Sequence, residues 1–149
     1  LPFHHLPIED GRKNEQEERL LGLFEETESE LLVLARYMQV LSDDFVKDYP
    51  QRIINIHHSF LPAFPGGRPY HSAYERGVKI IGATSHYVTA ELDAGPIIEQ
   101  DVERVNHSMT PAQLTMIGQD IERRVLARAV RYHAEDRVVL IGSKTVVFS

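Results

Sequence analysis

Two short apolar runs, each set behind a helical segment, constrain the fold of this chain more than any other feature. Residues 14–27 are acidic, with Leu20, Leu23 and Phe24 at helical spacing. They predict an amphipathic helix with a solvated charged face. Leu31-Leu32-Val33-Leu34-Ala35 follows, continuous and apolar. It is too short for a helix and reads as a buried parallel strand. Ser42, Asp43 and Asp44 offer an N-cap for a short helix that takes up Phe45 and Val46 and stops before Pro50. Residues 52–57 (RIINIH) form the second buried strand. Helix–strand–helix–strand order predicts an α/β domain with a mostly parallel, Rossmann-like sheet flanked by helices. Such sheets take ligands beyond the carboxyl ends of their strands. Asn55 and His57 close the second strand.

The rest of the chain extends this plan. A Pro/Gly-rich loop (LPAFPGGRP) follows the second strand, then a helix over residues 70–76 ending at Gly77. Residues 79–89 are strand-like. Residues 96–105 (PIIEQDVERV) alternate apolar and polar, as a half-exposed strand does. Thr110 caps a long helix with Pro111 at its first position, running to about His133. Leu114, Ile117, Ile121, Val125, Leu126 and Ala129 make its apolar stripe. VVLIG and TVVF, on either side of Ser143-Lys144, predict a C-terminal β-hairpin.

On a strand, alternate residues share a face, so Asn55 and His57 project together while Ile56 points into a core. The amide can donate to a developing oxyanion, and the imidazole can move protons near neutral pH. The same pair also fits a strand end that merely caps a loop. Asp93 precedes Gly95-Pro96 and reads as a turn residue. If that turn folds back over Asn55 and His57, Asp93 would orient the His57 ring and raise its pKa. His86 fits either a group supporting the site from behind or a satisfied core histidine.

The net charge of −6 and pI near 5.7 argue against non-specific nucleic-acid binding. No cysteine is present, which excludes thiolate nucleophiles and Cys-based zinc sites and fits a reducing, cytoplasmic setting. No apolar run approaches the roughly 20 residues that span a bilayer, so no membrane partner is expected. Among eight histidines there is no HExxH motif. His57 and His58 are adjacent and, on a continuous strand, point opposite ways; we expect no metal. There is no GxGxxG or Walker loop, so no tightly bound nucleotide is indicated.

LARYMQVLS, INIHHSFLPAF, RPYHSAYERGVKIIGATSHYVT and LDAGPIIEQDV together resemble the folate-dependent formyltransferase superfamily and, within it, the formyltetrahydrofolate deformylases. The resemblance runs through nearly the whole chain. It implies that Asn55, His57 and Asp93 fall on the catalytic Asn, His and Asp, with Ser59 and His86 near them. It implies that the backbone of Met38, Gln39, Val40 and Leu41 receives a pterin ring, and that Val88, Leu92 and the loop to Asp93 close the pocket's other side. His58 and Phe60 favour the deformylases over the phosphoribosylglycinamide transformylases, which typically carry Pro and Leu there.

The implied activity is hydrolysis of 10-formyltetrahydrofolate to formate and tetrahydrofolate, supplying formate for purine biosynthesis and balancing one-carbon folate pools. Folate would enter as substrate, with no cofactor bound tightly and the protein a homo-oligomer. The runner-up readings are a transformylase that passes formyl to an amine and a non-catalytic folate-binding fragment. Leu1-Pro2-Phe3 reads like mid-chain sequence. Residues 1–149 are therefore expected to be a partial catalytic domain, without an ACT-like regulatory domain or the first strand–helix–strand unit.

Overall fold

A computed structural model describes residues 2–7, 12–37, 39–58 and 68–149. The element order is α1 (Lys13–Glu26), β1 (Leu32–Ala35), α2 (Asp43–Asp48), β2 (Ile53–His57), α3 (Pro69–Arg76), β3 (Ile80–Tyr87), β4 (Ile97–Arg104), α4 (Pro111–Ala134), β5 (Val138–Ile141) and β6 (Lys144–Val147). Among the described residues, β1 to β4 form one sheet in sequence order, and β5 and β6 form the expected hairpin.

The sheet is mixed, not mostly parallel. β1 and β2 run parallel with α2 between them, but β2–β3, although α3 lies between them, and β3–β4 are antiparallel. The reversal at β4 comes from residues 88–96, a connection with no helix in it, which turns the chain straight back. That connection carries Asp93.

Helices cover both faces. Strand alternation sends Ile56, Ala83 and Ile81 to one face, where they meet Leu114, Ile121 and Val125 of α4. Leu34 and Ile53 go to the other face, against Leu41, Phe45 and Val46, with Leu20 and Leu21 of α1 packed alongside. The α4 stripe matches the expected one with one addition, Gly118. A methyl group at Gly118 would overlap the Tyr70 ring, so glycine lets α3 and α4 approach closely. The Tyr70 hydroxyl in turn donates to Glu122 on α4.

Local signals set the helix ends. Ser42 Oγ accepts from the Phe45 N–H to start α2. Thr110 and Gln113 form a reciprocal capping box at α4. Gly77 closes α3 in the left-handed region, at φ 65°. One expectation for α1 fails: its charged face is not wholly solvated, because Glu17 is only 6% exposed.

Candidate functional site

The sheet register builds the polar centre. Asn55 pairs directly with His86, and His57 with Thr84, across β2 and β3. Directly opposed residues share a face, so these four side chains lie together on the face that α1 and α2 cover. Gln100 Nε2 extends the row from β4 by donating to Thr84 Oγ1 at 2.9 Å. Ile56 goes to the other face, as its alternation predicts.

The turn of residues 88–96 then brings in the carboxylate. Asp93 adopts φ 53°, a left-handed conformation that Asp tolerates better than most residues. It is thus the turn residue its neighbours suggest, and its side chain also reaches the histidines. Asp93 Oδ1 lies 3.5 Å from His57 Nδ1 and 3.9 Å from His86 Nε2. Gly95 fixes the root of this turn. A side chain there would overlap the Tyr87 carbonyl oxygen and crowd His86 Nδ1.

Electrostatics corrects one expectation. Burial pushes the His57 pKa below its ordinary value and outweighs the opposing pull of Asp93; His58 and His86 push the same way as burial. His57 is therefore held neutral at physiological pH. With Nδ1 facing Asp93, its Nε2 is buried and has no hydrogen-bond partner among the described residues. His86 is 2% exposed, with Nδ1 2.9 Å from the Tyr87 carbonyl oxygen and Nε2 aimed toward Asp93. It is thus a deeply buried histidine and a neighbour of the polar centre at once.

His58 departs from strand geometry. β2 ends at His57, so the chain bends and the two imidazoles stack, with centroids 5.1 Å apart and planes 14° from parallel. The two rings do not point opposite ways. Among the described residues, no group of three His, Asp or Glu side chains is placed to hold a metal ion.

These groups line one cleft with a cavity volume of about 230 Å³. Its polar floor is Asn55, His57, His86 and Asp93. Gln39, Val40 and Leu41 form a wall of it, and Val88 and Leu92 line it as well. Met38, Ser59 and Phe60 lie outside the described residues. A second cleft of about 350 Å³ adjoins it, sharing Arg36 and His58 and reaching Tyr70, Gln119 and Glu122. Sequence reasoning missed Thr84, Gln100 and Glu17. The strand pattern held a signal for Thr84 once β3 was paired with β2; Glu17 had none.

An amide donor and a neutral imidazole on one strand face, with a carboxylate folded over them, equip a cleft for acid–base and oxyanion chemistry at a carbonyl-type carbon. That chemistry suits the fold's comparisons. The formyl transferase family model matches residues 3–130, and the chain belongs to that family. It is 58% identical over 149 residues to formyltetrahydrofolate deformylase of Bacillus subtilis (strain 168), covering 100% of this chain and 50% of that relative. The crystal structure of formyltetrahydrofolate deformylase from Burkholderia mallei superposes with a TM-score of 0.93 at 56% identity, over 100% of this chain and 53% of that one. Glycinamide ribonucleotide transformylase 1 from Symbiobacterium toebii superposes with a TM-score of 0.82 at 35% identity, over 92% and 65%. The chain spans about half the length of the curated relatives it matches. No helix among the described residues is long and apolar enough to cross a membrane.

Proposed function

We propose that this chain carries the active site of a formyltetrahydrofolate deformylase, which hydrolyses 10-formyltetrahydrofolate to formate and tetrahydrofolate. The observation that carries the reading is the contact between His57 and Asp93 at 3.5 Å, with Asn55 on the same sheet face and the cleft open above them. Water attacks the formyl carbon and gives a proton to the free Nε2 of neutral His57. The Asn55 amide donates to the oxyanion of the tetrahedral intermediate. The carbon–nitrogen bond then breaks, and the proton passes from His57 to the departing folate nitrogen. Asp93 orients the His57 ring and stabilises the imidazolium formed between the two transfers. Gln39, Val40, Leu41, Val88 and Leu92 line a space that takes the flat pterin, with backbone groups to pair its edge. The wider assignments, homo-oligomeric assembly, a cytoplasmic setting and a folate that enters only as substrate, belong to the same proposal.

The adjoining cleft favours a second reading, transfer of formyl to an amine, because it offers room for an acceptor. Formate release measured with no amine present separates the two. Release at a steady rate supports hydrolysis. Release only with an added amine, or folate binding with no turnover, overturns it.

A further inference from the structure

α1 carries many carboxylates on its surface, yet it buries one. Glu17 is 6% exposed, and its Oε1 accepts the Ser42 N–H at 2.9 Å. Lys13, one turn earlier, reaches the same oxygen at 3.8 Å. Tyr37 feels the same carboxylate: burial first, then the charge of Glu17, pushes its phenol pKa up. Tyr37 and Ser42 bracket Gln39, Val40 and Leu41, which form one wall of the cleft without belonging to a helix or strand. A buried carboxylate is costly unless hydrogen bonds and opposite charge repay it, and here Lys13 supplies the charge and the Ser42 N–H, at one flank of that wall, supplies the hydrogen bond.

We infer that Glu17 is a positioning residue for the ligand: it acts through Ser42 to hold the Gln39–Leu41 backbone where a folate ring can pair with it. The inference rests on the formyl-folate reading of the cleft. Glu17 touches no reacting atom, so its removal weakens capture and spares chemistry.

The test uses four variants of this chain, with formate release read against 10-formyltetrahydrofolate concentration. Glu17→Ala raises KM roughly tenfold, the scale of one charge-assisted hydrogen bond, and leaves kcat within about twofold. Glu17→Gln keeps an acceptor oxygen and stays within about threefold of the parental KM. Ser42→Pro deletes the donor at φ −66°, an angle proline adopts, and reproduces the Glu17→Ala effect. Ser42→Ala keeps the donor but loses the α2 cap, so it lowers the melting temperature and raises KM less than Ser42→Pro does.

A parental KM in both Glu17→Ala and Ser42→Pro overturns the inference. So does a Glu17→Gln defect as large as that of Glu17→Ala. If Glu17→Ala does not fold, the two Ser42 variants decide. The hydrolase reading fails separately, by absence of formate release from the unsubstituted chain. Titration of the same variants with tetrahydrofolate then judges Glu17, with Kd in place of KM.

Discussion

The two sides of the cleft are built by different means. Most of the floor is a product of regular pairing, Asn55 opposite His86 and His57 opposite Thr84, with Asp93 added from the turn beside them. The Gln39–Leu41 wall has no ladder and leans on a side-chain strut from α1. The difference teaches where precision is needed. On the proposed mechanism, proton transfer and oxyanion stabilisation fail with displacements of about 1 Å, and Asn55 and His57 sit on paired strands. On the same proposal, ring recognition tolerates more adjustment and falls to the irregular Gln39–Leu41 backbone.

Breaking the floor has the largest expected effect. Asn55→Ala lowers kcat on the order of 10²- to 10³-fold, the cost of one oxyanion donor, while tetrahydrofolate affinity measured by calorimetry stays near parental. The mirror-image outcome, lost affinity with intact turnover, would falsify the division between floor and wall. Next comes Gly95→Ala. Its methyl group displaces the Asp93 turn or the Tyr87 carbonyl, costing about 1–3 kcal/mol of stability and lowering turnover together. Thermal unfolding beside steady-state kinetics checks both. Thr110→Ala, remote from both sides, loses about 1 kcal/mol through its cap and leaves kcat and KM unchanged.

The smallest effect is in pH. Because burial holds the His57 pKa below 6.5, the acid limb of kcat/KM falls below that value. Asp93→Asn removes the one group that pulls the pKa upward, so the His57 midpoint followed by NMR moves lower still. The sign for stability follows. The unfolded chain binds the proton more readily, so the His57 contribution is intact above pH 6.5 and is lost as pH falls from there toward the folded pKa. A flat unfolding free energy between pH 7 and pH 5 in His57→Gln, against a falling one in the parent, confirms the source.

Much of this was legible in the residues. Apolar runs and caps located each element to within a residue or two, because those signals are local: Ser42 before α2, Thr110 and Pro111 at α4, Gly77 after α3. Alternation along β2 also paired Asn55 with His57 correctly. Strand direction was not legible beyond β2. Both β1–β2 and β2–β3 have a helix between their strands, yet the first pair is parallel and the second antiparallel, so an intervening helix alone does not report strand direction; only the β3–β4 reversal follows from the short turn of residues 88–96. The stacking of His58 on His57 was missed for a related reason: strand alternation was carried one residue past the strand's end. The His57 pKa was read from its charged neighbour alone, and burial, which no sequence pattern reports, proved the stronger influence. Glu17 shows the same gap, a carboxylate in a charged helix whose neighbour lies 25 positions away.

The close approach of α3 and α4 carries a consequence for heredity. Gly118 is small because the Tyr70 ring fills the space a side chain would need, and the Tyr70 hydroxyl is spoken for by Glu122. Position 118 cannot enlarge while Tyr70 keeps its ring. A lineage that acquires alanine at position 118 must first shrink position 70, and Glu122 then loses its phenol. Enlargement at 118 therefore waits on a smaller residue at 70, and the second cleft, which Tyr70 and Glu122 both line, changes shape with that first step.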